Sequence, residues 1–246
     1  MLWIGTSGYS YPEWKGSFYP ATLAPSKMFA YYAERHSTVE INHTFRAMPE
    51  AQVISAWASA APEGFRYTLK APQQITHHKR LVGAEAHLAE LLAGARLLGP
   101  TLATILFQLP HNMKIDTGKL RDFLALLPGE IRVAFEFRHA SWHDDAVFDL
   151  LRGKNAALCI SDSEALTTPP EITADFGYFR LRDEGYKRAD LQRWGDLILA
   201  GAGSWKDTFV YFKHEDQGKG PVFAAKLKKI CGVPKKASLS RGPGRC

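Results

Sequence analysis

In the stretch AFEFRHASW (134–142), Glu136 and Arg138 alternate with Phe135 and Phe137. A strand sends successive side chains to opposite faces, so one face here is apolar and the other sets a carboxylate beside a guanidinium. The pattern recurs along the chain. Glu40 and Asn42 alternate with Val39 and Ile41, Thr68 and Lys70 with Tyr67 and Leu69, and Gln108 with Phe107 and Leu109. Arg180 and Arg182 alternate with Phe179 and Leu181, Asp162 follows Ile160 in phase, and Lys213 shares a face with Glu215. Carboxylates in such settings do general acid–base work or hold metals; Glu136 is the first candidate, Glu40 the second, and Asp162 is a further catalytic candidate. Burial raises a carboxyl pKa and a nearby guanidinium lowers it, so sequence alone does not assign acid or base. Lys70, Arg138 and Lys213 could stabilise developing negative charge. A Schiff-base role for Lys70 or Lys213 would need a depressed pKa.

Other residues suit an anion. Arg180 and Arg182 share a strand face, Lys213 ends the last strand, and QGKGP (217–221) follows with Gly218, Lys219 and Gly220 ahead of Pro221. Glycines let backbone approach a ligand, and a helix N-terminus offers free N–H groups. A plain turn is the alternative for this loop. Asn42 and Gln108 complete the polar part of the expected substrate-binding set. Tyr9, Tyr11 and Trp14 in an early aromatic cluster, with Trp142, could wall a pocket and stack a sugar or base; helix packing is the other reading. His43, His77, His78, His139, His143 and His214 lie near strand ends or in loops without an HExxH or HxH pattern. Surface or hydrogen-bonded histidines account for them; no cofactor is implied, and a divalent metal stays open.

Elements must position these groups. Strand-like runs fall at 2–7, 38–42, 65–71, 101–109, 131–139, 156–163, 178–183 and 208–215, with helical spacing at 27–36, 50–61, 85–99, 117–129, 144–155, 189–201 and 221–231. Eight strand-like runs alternating with helical stretches predict a single-domain TIM-type (β/α)8 barrel in the α/β class. A doubly wound sheet is the alternative, but GTSGYSYPEW stands where its GxGxxG would. In a barrel one strand face meets the helices and the other the lumen, which accounts for the two-faced strands. The polar residues gather at the C-terminal strand ends, where barrel active sites form. A self-satisfied salt-bridge network is the inert alternative.

The 246 residues are 46% hydrophobic, enough for one sizeable core. No apolar run reaches bilayer length, and the start lacks a secretory pattern. Cys159, Cys231 and Cys246 are odd in number and far apart, so no disulfide framework is expected and a cytoplasmic home is the simplest. The net charge of +6 gathers partly in a basic end, so 1–232 is expected as the barrel domain and 233–246 as a basic, flexible tail.

The motifs GTSGYSYPEWKGSFYP, VEINHTF, YTLKAPQQITHHKRL, LGPTLATILFQLP, AFEFRHASW, ISDSE, YFRLR and VYFKHEDQGKGPVFA together resemble the YecE-like family, number 72 in the domain-of-unknown-function series. The resemblance runs from about residue 2 to residue 230. It implies a TIM-type barrel, found mainly in bacteria and archaea, with no settled activity. The chain departs from the family at Thr44-Phe45-Arg46-Ala47, where the family commonly reads TFYR, and at Arg182-Asp183-Glu184-Gly185, where a His-Gly or Arg-Gly pair is common.

Three functions follow as expectations. The first is an enzyme acting on a phosphorylated or other anionic small molecule by hydrolytic or acid–base chemistry, phosphoester hydrolysis foremost. The second is a nucleic-acid-binding or repair-type protein, metal-assisted or not. The third is a non-catalytic sensor of a small anion. No membrane partner is expected, and the oligomeric state is open.

Overall fold

The two-faced strands close on themselves. In a computed structural model, describing residues 1–162, 166–183, 185–213 and 218–234, eight parallel strands pair in chain order and the last returns to the first. They are β1 (Leu2–Ser7), β2 (Thr38–Ile41), β3 (Arg66–Lys70), β4 (Leu102–Gln108), β5 (Val133–Glu136), β6 (Ala157–Ser161), β7 (Phe176–Leu181) and β8 (Asp207–Phe212). Around them run α1 (Met28–Ala33), α2 (Ala51–Ala60), α3 (Glu85–Leu97), α4 (Thr117–Leu126), α5 (Asp145–Lys154), α6 (Arg188–Ala200) and α7 (Lys219–Ile230). This is the expected single-domain TIM-type barrel, and the sequence pattern already holds no helix between its sixth and seventh strand-like runs. No helix joins β6 to β7 among the described residues. The connecting segment contains Pro169-Pro170, and proline interrupts a helix by removing a donor and clashing with the preceding turn.

Local chemistry sets the helix ends. Asp116 and Asp144 cap α4 and α5 by accepting from the backbone N–H of Lys119 and Ala146, satisfying donors that a helix start leaves open. Asn155 ends α5 in the left-handed region, and Gly99 does the same beyond α3 ahead of Pro100. Helix α1 is shorter than its sequence pattern suggests.

Alternation decides where the core sits. Val39, Ile41, Tyr67, Leu69, Ile105, Phe107, Phe135 and Phe137 pack outward in one cluster, and Phe179 and Leu181 in a second. The third cluster fills the lower lumen with Trp3, Leu106, Ala134, Cys159, Phe176, Tyr178, Phe209 and Tyr211. Midway up, the Tyr211 hydroxyl lies 2.8 Å from Thr38 Oγ1 and 2.8 Å from Thr68 Oγ1, so a buried polar ring atom is paired as burial demands. Above that level the lumen is ionic.

Gly5 lets β1 and β2 close. A Cβ there would lie 2.1 Å from the Thr38 carbonyl oxygen and 2.9 Å from the Tyr32 hydroxyl. Gly5→Ala is expected to lower stability by about 1–3 kcal/mol, the usual cost of overpacking, read as a lower urea midpoint at unchanged slope. Wild-type stability in that variant would refute the close approach.

Candidate active site

Arg180, on β7, crosses the upper lumen. Its Nε and Nη2 donate to Glu40 Oε1 on β2 at 3.2 and 2.8 Å, and its Nη1 donates to Glu136 Oε2 on β5. None of the three is reached by solvent. Further donors finish both carboxylates. Glu40 accepts from the hydroxyls of Ser7 and Tyr178. Glu136 accepts from Gln108 Nε2 at 2.9 Å on each oxygen and from Arg182 Nη1 at 3.2 Å. Burial pushes Glu136 up, but the charges of Arg180 and Arg182 more than offset it and hold the carboxyl at about 2. Glu40 is likewise lowered, burial being outweighed by the Arg180 charge and by hydrogen bonds from Ser7, Tyr178 and Arg180. Burial alone would depress Arg180, and the two carboxylates lift it well above its ordinary value. Two ionised carboxylates and one guanidinium therefore form a satisfied buried triad.

Two other cations, Lys70 and Arg138, have no such compensation among the described residues. Lys70, at the end of β3 and 7% exposed, has no hydrogen bond or ion pair among the described residues; its Nζ sits 4.0 Å from the centre of the Phe45 ring. Burial lowers it most, then the Arg180 charge, with Glu40 and Glu136 opposing, to about 7. Arg138, just past β5, also lacks an ion pair among the described residues, and burial followed by the Arg182 charge lowers it. Lys213 follows β8, its N–H donating to the Leu181 carbonyl. Asn42 Nδ2 donates to Ser7 Oγ at 2.7 Å, while its Oδ1 is buried without a donor among the described residues.

A strained segment borders Lys70. Gln74–His78 forms a π turn, and Arg80 and Leu81 follow with φ of 49° and 72°. π turns and non-glycine left-handed residues recur at functional sites. His77 in this turn packs edge-on to Phe45 at 5.0 Å; burial and the charges of Lys70 and Arg138 depress it to about 4, so it is neutral.

The structure thus gathers Glu40, Glu136, Arg180, Arg182, Gln108, Lys70 and Asn42 at one end of the lumen, with Arg138 and Lys213 at the ends of neighbouring strands. It does not gather all the candidates. Asp162 shares the outward phase of Ile160; it accepts from the Arg182 backbone at 2.7 Å and from Tyr186 Oη, leaving Ser161 as the residue paired with Arg180 in the ladder. Asp162 lines a separate cavity of about 380 Å³ with Tyr186, Asp190 and Trp194. That cavity lies beside the lumen, whereas the unpaired cations lie at the barrel mouth. Trp14 and Trp142 are completely buried. Trp14 packs on Tyr11 at 4.8 Å; Trp142 stacks on Phe137 at 4.7 Å and donates to the Met113 carbonyl. Half-buried Tyr9 packs edge-on to Phe29. Trp14 and Trp142 thus have the packing role that was the alternative to a pocket wall. Gly218 precedes α7 with φ of 69°, where a Cβ would meet Ser17 Oγ at 2.4 Å, and Lys219 and Gly220 form the first turn. His214 and Glu215 lie outside the described residues, as does nearly all of 233–246. No group of three His, Cys, Asp or Glu suited to a metal occurs among the described residues, and none of their helices is long and apolar enough to cross a membrane. Ser7 and Tyr178 were not among the candidates, although Tyr178 lies two residues before Arg180 and so on its face.

A closed parallel barrel with an ionic C-terminal mouth places the chain among TIM-type barrel proteins. Within that class it belongs to the family described as Protein of unknown function DUF72, whose model matches residues 3–244. Relatives include UPF0759 protein YecE of Escherichia coli, 29% identical over 56% of this chain and 49% of that protein, and UPF0759 protein YunF of Bacillus subtilis, 27% identical over 61% and 55%. The chain aligns with about half the length of these relatives. A crystal structure of a DUF72 family protein from Thermotoga maritima superposes with a TM-score of 0.82 at 25% identity, covering 94% of this chain and 99% of that one. One from Enterococcus faecalis also gives 0.82, at 17% identity over 95% and 96%.

Arg180→Met would leave two buried carboxylates uncompensated and is expected to cost about 3–5 kcal/mol in denaturant unfolding. Arg182→Met, at the half-exposed edge, should cost less. Glu136 has a folded pKa below its ordinary 4.5, so its contribution is complete above that value and is lost as pH falls towards about 2. Wild type should lose stability on acidification through that window more steeply than Glu136→Gln. Equal pH profiles would contradict the triad.

Proposed function

We propose that the C-terminal mouth is the active site of an enzyme that takes a small anionic substrate, phosphorylated or carboxylated, and performs acid–base chemistry on it. The observation that carries this reading is an imbalance of charge. Among the described residues, Arg180, Arg182 and Arg138 share the mouth with two buried carboxylates; both carboxylates already bind Arg180, one also binds Arg182, and Arg138 has no ion pair. A cation without a counter-ion at the edge of a low-dielectric interior attracts an anion strongly. Guanidinium groups suit phosphate and carboxylate through paired N–H donors. The unsatisfied Asn42 Oδ1 suits a hydroxyl on the same ligand.

This reading changes the work of the carboxylates. A carboxyl held at about 2 is a poor proton acceptor near neutrality. Glu136 and Glu40 here position Arg180 and Arg182 rather than take a proton. Lys70, with a pKa near neutrality, is the better matched proton carrier.

Binding of inorganic phosphate and of glycerol 3-phosphate, measured by calorimetry, tests the site. Arg138→Ala should leave the unfolding temperature nearly unchanged, since it breaks no ion pair. It should nevertheless weaken binding about tenfold or more, as loss of a charge-assisted hydrogen bond does. Unchanged affinity in both Arg138→Ala and Arg182→Ala would overturn the proposal. An oligonucleotide that binds tightly with a steep salt dependence, where glycerol 3-phosphate does not bind, would favour a nucleic-acid partner instead.

A further inference from the structure

We propose that Lys70 is a nucleophile, and that its amine condenses with the carbonyl group of an anionic aldehyde or ketone to form an imine. This names a substrate class for the mouth and rests on the anion-site reading.

The geometry points this way in three respects. First, Lys70 is buried but lacks a counter-ion. Lysines are almost never fully buried unless paired, yet Nζ has no hydrogen bond or ion pair among the described residues. The two nearby carboxylates, Glu40 and Glu136, are filled by Arg180, Arg182, Gln108, Ser7 and Tyr178. Second, its position is fixed. The Thr44 hydroxyl donates to the Lys70 carbonyl at 2.7 Å, and the Phe45 ring lies against the amine. The small exposure that remains lies at the end of β3 that carries the ionic mouth. Third, positive charge surrounds it. Arg180 on β7 and Lys213 after β8 favour the neutral amine, Glu40 on β2 and Glu136 on β5 oppose them, and His77 in the π turn is uncharged. The Phe45 contact also favours the ammonium, but burial and Arg180 prevail and bring the amine to about 7. Near neutrality the amine is thus shifted towards the free base, the form that attacks a carbonyl carbon.

The step balances without an outside oxidant or reductant. The nitrogen lone pair forms a C–N bond while the carbonyl π bond opens onto oxygen. A proton passes from nitrogen to that oxygen, giving a carbinolamine. The C–O bond then breaks, water leaves with a proton drawn from solvent at the mouth, and the protonated imine remains. Arg138 and Arg182 are available to hold the anionic group meanwhile.

Glyceraldehyde 3-phosphate with sodium cyanoborohydride tests this, since hydride reduces an imine to a stable amine that peptide mapping locates. In the full chain, the Lys70 peptide should be labelled at least about tenfold faster than any other lysine peptide at pH 7. The rate should rise with pH through a midpoint near 7, and inorganic phosphate should suppress it. Lys70→Met should lose this labelling yet still bind glycerol 3-phosphate, which has no carbonyl. Even labelling of all lysines, with glycerol 3-phosphate still bound, would overturn the nucleophile and leave the anion site standing. Failure of wild type to bind either compound would overturn both.

A stability measurement is independent of any ligand. Lys70 has a folded pKa below its ordinary 10.5. The native state therefore sheds a proton that the unfolded chain keeps between about 7 and that value, and stability rises with pH across the window. Lys70→Met should remove this rise and gain most in unfolding temperature below about pH 7. A variant whose profile parallels wild type would show an amine with an ordinary pKa and overturn the proposal.

Discussion

A guanidinium sealed from water must find its compensation within hydrogen-bonding reach, and Arg180 finds it on both sides of the lumen. Glu40 and Glu136 lie on strands three apart around the barrel, so a single side chain ties together walls that share no ladder. Each member of the triad is tolerable only because the others are present: an isolated buried charge is very costly, whereas a paired and fully hydrogen-bonded one can be accommodated. Of the supporting donors, Ser7 and Gln108 come from two further strands, β1 and β4, and Tyr178 from the strand of Arg180 itself. The upper lumen is thus one cooperative polar unit resting on an apolar plug.

That unit also explains the character of the mouth. Because the carboxylates are spent on Arg180, they do little to offset burial at the outer groups, and burial, joined by neighbouring positive charge, depresses the pKa values of Lys70, Arg138 and His77. The strained turn after β3 holds His77 and Phe45 close to Lys70. One buried interaction therefore produces both the rigidity of the site and its electrostatic appetite.

The architecture was legible in the sequence because alternation is a strong signal when one face is greasy and the other ionic. Phe135 against Glu136, and Phe179 against Arg180, gave the two faces correctly. Strand ends were less clear: alternation continues beyond the last ladder bond, so 131–139 and 156–163 overran β5 and β6. The same alternation, followed strictly, puts Asp162 with outward Ile160 rather than with the lumen carboxylates. Ser7 and Tyr178 escaped notice because a hydroxyl in an apolar strand is ambiguous until its partner across the barrel is known. Trp14 and Trp142 looked like ligand platforms because an indole suits a pocket wall and a core equally well. Nothing in QITHH announces a π turn, which arises from tertiary fit.

The plug of Trp3, Leu106, Phe176 and Phe209 has a kinetic meaning. It fills the lower lumen, so the barrel is closed at that end and is not a conduit. A ligand bound near Lys70 and Arg182 would enter and depart by the same door. Turnover in such a vessel would be strictly sequential, each occupant vacating before its successor arrives, and a spent molecule that lingers would act as its own inhibitor.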